Sequence, residues 1–179
     1  MERLIAYHCA PALAGIKPAN IVSCEKRRFK NAAAEIARLN AQLNKKGIHF
    51  TILCECERRI LLMVYRENKL SQYLQAEEIG EFLREAGYPE KFELGEYIER
   101  LQRRMGNESF PHEIGAFLGY PLCDIYGFIN KEKCLLTGEW KVYKNAEDAR
   151  LKFQRYSVCK CALVKRIDEG RSLSELFAA

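Results

Sequence analysis

The chain has 179 residues, 48% of them apolar and 30% charged, with a formal net charge of +5. That balance excludes a disordered chain, and the length suits one domain, or two closely packed lobes, burying roughly 70% of the surface the unfolded chain exposes. No apolar run is long enough to span a bilayer, and the mild, mixed charge permits a phosphate or nucleic-acid partner without demanding one.

The amino terminus, MERLIAYHCAPALAG, interrupts its apolar residues with Tyr7, His8 and Pro11 and lacks the form of a signal peptide, so a cytoplasmic protein is expected. Residues 2–9 fit a short helix or a strand equally. CAPALAGIKPAN reads as a loop, because Pro11, Gly15 and Pro18 punctuate it. Asn20–Cys24 is short and β-branched and reads as a strand. From about Glu25 to Asn44 the apolar residues Phe29, Ala32, Ala33, Ile36, Leu39 and Leu43 keep helical spacing, with Gly47 as the stop. Residues 48–66 form a hairpin pattern: IHFTILCE alternates, a polar turn falls near Glu57–Arg58, and RILLMVYR returns.

Two amphipathic helices follow at 70–87 and 93–105, the second with Leu94, Tyr97, Ile98, Leu101 and Met105 on one side. FPHEIGAFLGYPLCDIYGFIN (110–130) reads as a Pro-entered helix with His112 and Glu113 in its first turn, a break at Gly119-Tyr120-Pro121, and a second short helix. Glu139–Tyr143 is an expected strand. Asn145 is placed as the cap of a long final helix whose buried stripe is Ala149, Phe153, Tyr156, Cys159, Leu163 and Ile167. There is no internal repeat. The class is α+β: a small, mainly antiparallel sheet packed by helices, with a helix-turn-helix-like element at 111–130. A single domain over 1–179 is expected, divisible into lobes 1–66 with 135–179 and a helical 67–134.

Three blocks of the chain, HCAPALAGIKPANIVSC, FPHEIGAFLGYPLCDIYGFI and GEWKVYKNAEDARLKFQRYSVC, resemble the bacterial domain-of-unknown-function family numbered 3793, in order and over nearly the whole chain. The resemblance implies a single cytosolic bacterial domain and no particular activity. It singles out His8, Cys9, Lys17, Asn20, His112, Glu113, Tyr120 and Trp140 as positions inside matching blocks. Where the family often carries a Gly- and Cys-rich segment ahead of the WKVY strand, this chain has KEKCLLTGE, so a role for that segment does not transfer.

Four kinds of chemistry compete for these residues. Cys9, beside His8 and eight positions before Lys17, has cationic neighbours that favour a thiolate, and His112 with Glu113 would supply a base and its orienting carboxylate, as in a thiol-dependent hydrolase or transferase. The bland reading is a buried structural cysteine and a helix-start glutamate. A binding pocket asks for fewer coincidences: His8, Lys17, Asn20 and His112 suit a small anionic ligand, and Tyr120 and Trp140 would wall it. Metal binding is disfavoured. Cys54 and Cys56 stand roughly 7 Å apart on one strand face, Cys159 and Cys161 diverge by about 200° on a helix, and no CxxC pair exists.

Nucleic-acid binding is the alternative, because Gly115, Gly119 and Ile125 fit helix-turn-helix spacing. It is not favoured, since LCDIYGFIN offers no Arg, Lys or Gln to base edges and Asp124 is expected to face outward. The eight cysteines read mostly as small apolar core residues with reduced thiols rather than as a disulfide scaffold. The expected function is therefore a pocket for a small anionic ligand, with Cys9 the one plausible nucleophile. The sequence specifies no cofactor and no oligomeric state.

Overall fold

The computed structural model describes residues 1–106 and 110–177. Helix α1 (Glu2–Leu13) leads into strand β1 (Ala19–Glu25), a helical turn over Lys26–Arg28 and helix α2 (Ala32–Leu43). Strands β2 (Ile48–Glu55) and β3 (Arg59–Arg66) make the expected hairpin. The three strands form one antiparallel sheet in the order β1-β3-β2. Helices α3 (Glu67–Leu74), α4 (Glu77–Glu85), α5 (Leu94–Met105), α6 (Ile114–Phe117) and α7 (Leu122–Ile129) follow. A small second sheet of β4 (Leu136–Thr137) and β5 (Lys141–Val142) precedes the long α8 (Ala146–Asp168) and the short α9 (Leu173–Leu176). The architecture is α+β. Among the described residues, no helix is long and apolar enough to cross a membrane.

The sheet is buried on both faces, which is why β3 reads as an almost unbroken apolar run rather than an alternating one. Ile60, Leu62 and Val64 point to one face, where they meet Ile5, Cys9 and Leu13 of α1, Ile36, Leu39 and Leu43 of α2, Leu163 of α8 and Leu173 of α9. Met63 and Tyr65 point to the other face, toward helices α3 to α7, where Leu70, Leu74, Leu83, Leu101 and Phe117 are nearly or fully buried. Each such side chain contributes about 1.5–3 kcal/mol by leaving water. Between Ile52 and Cys54 the pairing register slips, leaving Leu53 as a bulge that enters the second cluster.

A third, smaller cluster joins the β4–β5 hairpin to the first half of α8 through Trp140, Val142, Ala149 and Tyr156. Helix α8 is thus shared. Its N-terminal half covers this hairpin, and its C-terminal half packs over α1.

Several expected boundaries are corrected. The stretch read as a loop from Cys9 is helical to Leu13, with Pro11 inside α1. The helix expected from Glu25 begins only at Ala32, where the Asn31 side chain accepts from Ala34 N–H. The 70–87 helix is two, α3 and α4, broken at Gln75–Ala76. Asn145 precedes α8 with a left-handed backbone and makes no side-chain capping bond. Helix α9, whose capping box pairs Ser172 with Glu175, was not anticipated.

Candidate functional site

Two turns of the same kind build the site. At the end of α1, Gly15 takes φ +72°, its N–H bonds to Ala12 O, and Ile16 N–H reaches back to Pro11 O. At the end of α6, Gly119 takes φ +71°, its N–H bonds to Ala116 O, and Tyr120 N–H reaches back to Gly115 O. Both are Schellman motifs, which need a residue free to adopt the left-handed region. The first delivers Lys17 and the second delivers Tyr120. The turns abut: a Cβ on Gly119 would lie 2.6 Å from Pro18 Cδ. The 8–20 segment and the 110–120 segment therefore meet in space.

Where they meet, the Lys17 ammonium lies over the rings of Tyr120 and Tyr156, 5.3 and 5.7 Å from their centroids. Lys17 is only 4% exposed and has no carboxylate within ion-pair distance among the described residues. Burial lowers its pKa to about 8, against a partly opposing pull from the more distant Glu139. The same environment pushes the Tyr120 hydroxyl up to about 12, through burial first and then Glu139 and Tyr156. His8 stands outside this cluster on the exposed face of α1, edge-on to Tyr7 at 4.9 Å, its pKa lowered by desolvation and then by Lys160.

On its other side the Tyr120 block is tied to the β4–β5 hairpin. Tyr120 stacks on Trp140 with centroids 5.1 Å apart, and Phe153 of α8 meets the indole edge-on at 4.6 Å. The anchor is Asp124, in the first turn of α7. It is buried, not outward-facing as expected from its neighbours, and accepts hydrogen bonds from Trp140 Nε1 (2.8 Å), Tyr143 N–H (2.7 Å) and Lys144 N–H (3.1 Å).

This arrangement leaves a cleft of about 250 Å³ between the Phe110–His112 segment, α7 and Trp140. Gly115, Ile114 and Ile125 form its apolar floor, and Tyr120 and Trp140 form a wall. At the rim stand His112, whose ring meets Phe128 edge-on at 5.5 Å, and Lys141, whose ammonium lies 5.5 Å from the Phe128 centroid. Gly115 is small for a reason: a Cβ there would sit 3.0 Å from Ile125 Cγ1.

The expected residues thus divide. His112, Tyr120 and Trp140 share the apolar cleft, while Lys17 lines a neighbouring one with Lys69, Gln72 and Tyr73. Asn20 is structural. Its Oδ1 accepts from Ala12 N–H at 3.1 Å, inside the helix that Pro11 interrupts. His112 and Glu113 lie in a turn just ahead of α6 and not within its first turn. Glu113 is turned inward to a two-point pair with Arg104, through Nε and through Nη2 at 3.3 Å, so it does not orient His112.

Cys9 faces the first core cluster with no solvent exposure, whereas His112 belongs to the rim of the cleft. The cationic neighbours that suggested a thiolate do not prevail, because burial drives the Cys9 thiol well above its ordinary range despite Lys17. The expected solvent access of this thiol is corrected, and with it the physical basis of the nucleophile reading.

Sequence reasoning missed Asp124, Tyr156 and Lys141 as contributors. The signal for Tyr156 was present, as a member of the α8 stripe. Nothing local marked Asp124. Among the described residues, no group of three His, Cys, Asp or Glu side chains could hold a metal ion.

The reactive thiol by geometry is Cys56, exposed at the β2–β3 turn and lowered in pKa by the backbone N–H groups of Arg58 and Arg59. Peptide-resolved iodoacetamide labelling at pH 7 is expected to find Cys56 first and Cys9 last. Cys9 labelling at a rate within about threefold of Cys56 would overturn its burial, since each unit of thiol pKa changes the thiolate fraction up to tenfold.

Compared with known proteins, residues 5–177 match the family described as "Protein of unknown function (DUF3793)". No curated protein and no solved structure matches the chain.

Proposed function

The chain belongs to that DUF3793 family, whose description assigns no reaction, and from this premise we propose that it binds a small, flat, anionic molecule in the cleft between His112 and Trp140. The observation that carries the reading is the pairing of an apolar, aromatic-walled cleft with two basic side chains, His112 and Lys141, at one rim. An apolar body would lie between the Tyr120–Trp140 wall and Phe128, and an acidic group would sit beside the imidazole and the ammonium. This keeps the anionic-pocket expectation but moves it. Lys17, His8 and Asn20 are not part of this pocket, and Cys9 is not its nucleophile.

The helix-turn-helix alternative draws no comparable support. Helix α7 presents Tyr126, Phe128 and Ile129 outward, with Asn130 at its C-cap, and none of the helix's own residues is a cation for phosphates.

Naphthalene-2-sulfonate is a suitable probe, and Trp140, the only tryptophan, is the reporter. Titration is expected to change its fluorescence saturably. His112→Gln with Lys141→Gln should weaken binding about tenfold, an effect of roughly 1.4 kcal/mol. A neutral probe, 2-naphthalenemethanol, should bind less tightly to the wild type and be indifferent to those substitutions. Equal affinity for both probes, or no effect of Phe128→Ala, would overturn the reading.

A further inference from the structure

We propose that the outer face of α8 is a self-complementary surface on which a second copy of this chain docks, its own α8 running antiparallel to the first. This surface lies apart from the His112–Trp140 cleft and does not rest on the reading given for it.

The case starts from where α8 puts its side chains. Ala149, Phe153, Tyr156 and Leu163 face the protein, against the β4–β5 hairpin and the first core cluster. On the opposite side Asp148, Leu151, Arg155, Val158, Ala162 and Lys165 recur at alternating steps of three and four residues, and all six are exposed. That is the spacing by which one helix meets another along its length. Because α1 and the hairpin pack on the far side of α8, this strip is open to a neighbour.

The strip has an apolar middle. Leu151 is 61% exposed and Val158 71%, the two most exposed large apolar residues among those described. A single exposed leucine needs no explanation. Leu151, Val158 and Ala162 in one helical row form a seam, and a row of this kind gains by leaving water.

The charges at its two ends decide what covers it. Asp148 stands at the N-terminal end and Lys165 at the C-terminal end. Among the described residues Asp148 makes no ion pair, and Lys165 has only a loose contact with Glu169 at 3.9 Å. A second copy turned end for end sets Asp148 opposite the other chain's Lys165 and Leu151 opposite its Ala162, in a single register. Arg155 then falls opposite Val158, where its aliphatic stem covers the valine while the guanidinium reaches past it to water. Each contact occurs twice, as a twofold axis requires.

The orientation follows from the same charges. A parallel pair would set aspartate against aspartate and lysine against lysine, whereas the antiparallel pair satisfies both ends and also opposes the two helix dipoles. Nucleic acid fits the strip poorly, because one end is acidic and the middle apolar. The strip is about 25 Å long, so one helix pair buries less than a standard interface and the dimer is weak and concentration-dependent.

The test is sedimentation of the full chain, kept reduced so that no disulfide links the copies, over about 10 μM to 1 mM. Wild type is expected to pass from monomer to dimer as concentration rises. Asp148→Lys and Lys165→Asp should each weaken association about tenfold, since each exchanges two attractive end contacts for two repulsive ones. An equimolar mixture of the two variants should recover the wild-type constant, because in the mixed dimer a lysine meets an aspartate at every end contact.

Leu151→Gln combined with Val158→Gln removes nothing from the core. It should abolish the dimer while leaving the unfolding midpoint of the dilute protein unchanged, and it serves if a charge variant does not fold. A wild type that stays monomeric throughout, a dimer that survives the glutamine substitutions, or a mixture no more associated than either charge variant alone would overturn the proposal.

Discussion

Asp124→Ala is expected to lower the unfolding free energy by about 3–5 kcal/mol, the largest effect of any single substitution near the cleft. The carboxylate is 3% exposed and satisfies three N–H groups, of which Trp140 Nε1 and Tyr143 N–H are themselves buried. Removing the acceptor strands each buried donor at a cost of about 1–3 kcal/mol, and the truncated side chain leaves a void. Asp124→Asn separates these contributions. Its amide oxygen would still accept from Tyr143 and Lys144, but its NH₂ would face the indole N–H, donor against donor. A loss of about 1–2 kcal/mol is expected for this variant. Urea unfolding followed by Trp140 fluorescence measures both. If Asp124→Ala stays within about 1 kcal/mol of wild type, the hairpin is held by its apolar contacts alone and Asp124 is not its anchor.

Asp124 also shows why only part of the site was legible in the sequence. Its three donors lie 16 to 20 residues away in the chain. Inside LCDIYGFIN a lone acidic residue among apolar ones reads as the solvent side, since local pattern gives no sign of a distant indole. Features set by short range were readable. The β2–β3 hairpin follows from alternation and a polar turn, the amphipathic α5 from its spacing, and the break at Gly119 from the need for a left-handed residue.

Cys9 failed for a related reason. The charges of His8 and Lys17 are near in sequence, but on a helix Ile5, Cys9 and Leu13 share one face and His8 turns away from it. Reading Pro11 as an end of structure hid that helix. Pro11 is accommodated because Ala12 N–H bonds to Asn20 Oδ1, a partner on the neighbouring strand. One hydrogen bond thus occupies the Asn20 side-chain oxygen and keeps the Cys9–Leu13 segment helical where a loop was expected.

Tyr120 and Trp140, expected as walls of a site, stack against each other at the edge of the cleft, a contact that says nothing yet about a ligand. Their meeting depends on Gly119, which brings the last prediction. Gly119→Ala is expected to cost about 2–4 kcal/mol, from two sources that can be measured apart. A non-glycine residue held at φ +71° is strained by about 1–2 kcal/mol. The added methyl would also sit 2.6 Å from Pro18 Cδ and 3.0 Å from its Cγ, an overlap that must push the two turns apart at about 1–2 kcal/mol.

Pro18→Ala in the Gly119→Ala background removes the second source but not the first. The double variant should therefore regain part of the loss, giving a coupling of about 1–2 kcal/mol in a double-mutant cycle. Because the two turns deliver Lys17 and Tyr120, the single variant should also move the Lys17 ammonium off the Tyr120 ring. Additive effects of the two substitutions would mean that the turns do not press on each other, and that the abutment of Pro18 on Gly119 plays no part in holding the two clefts together.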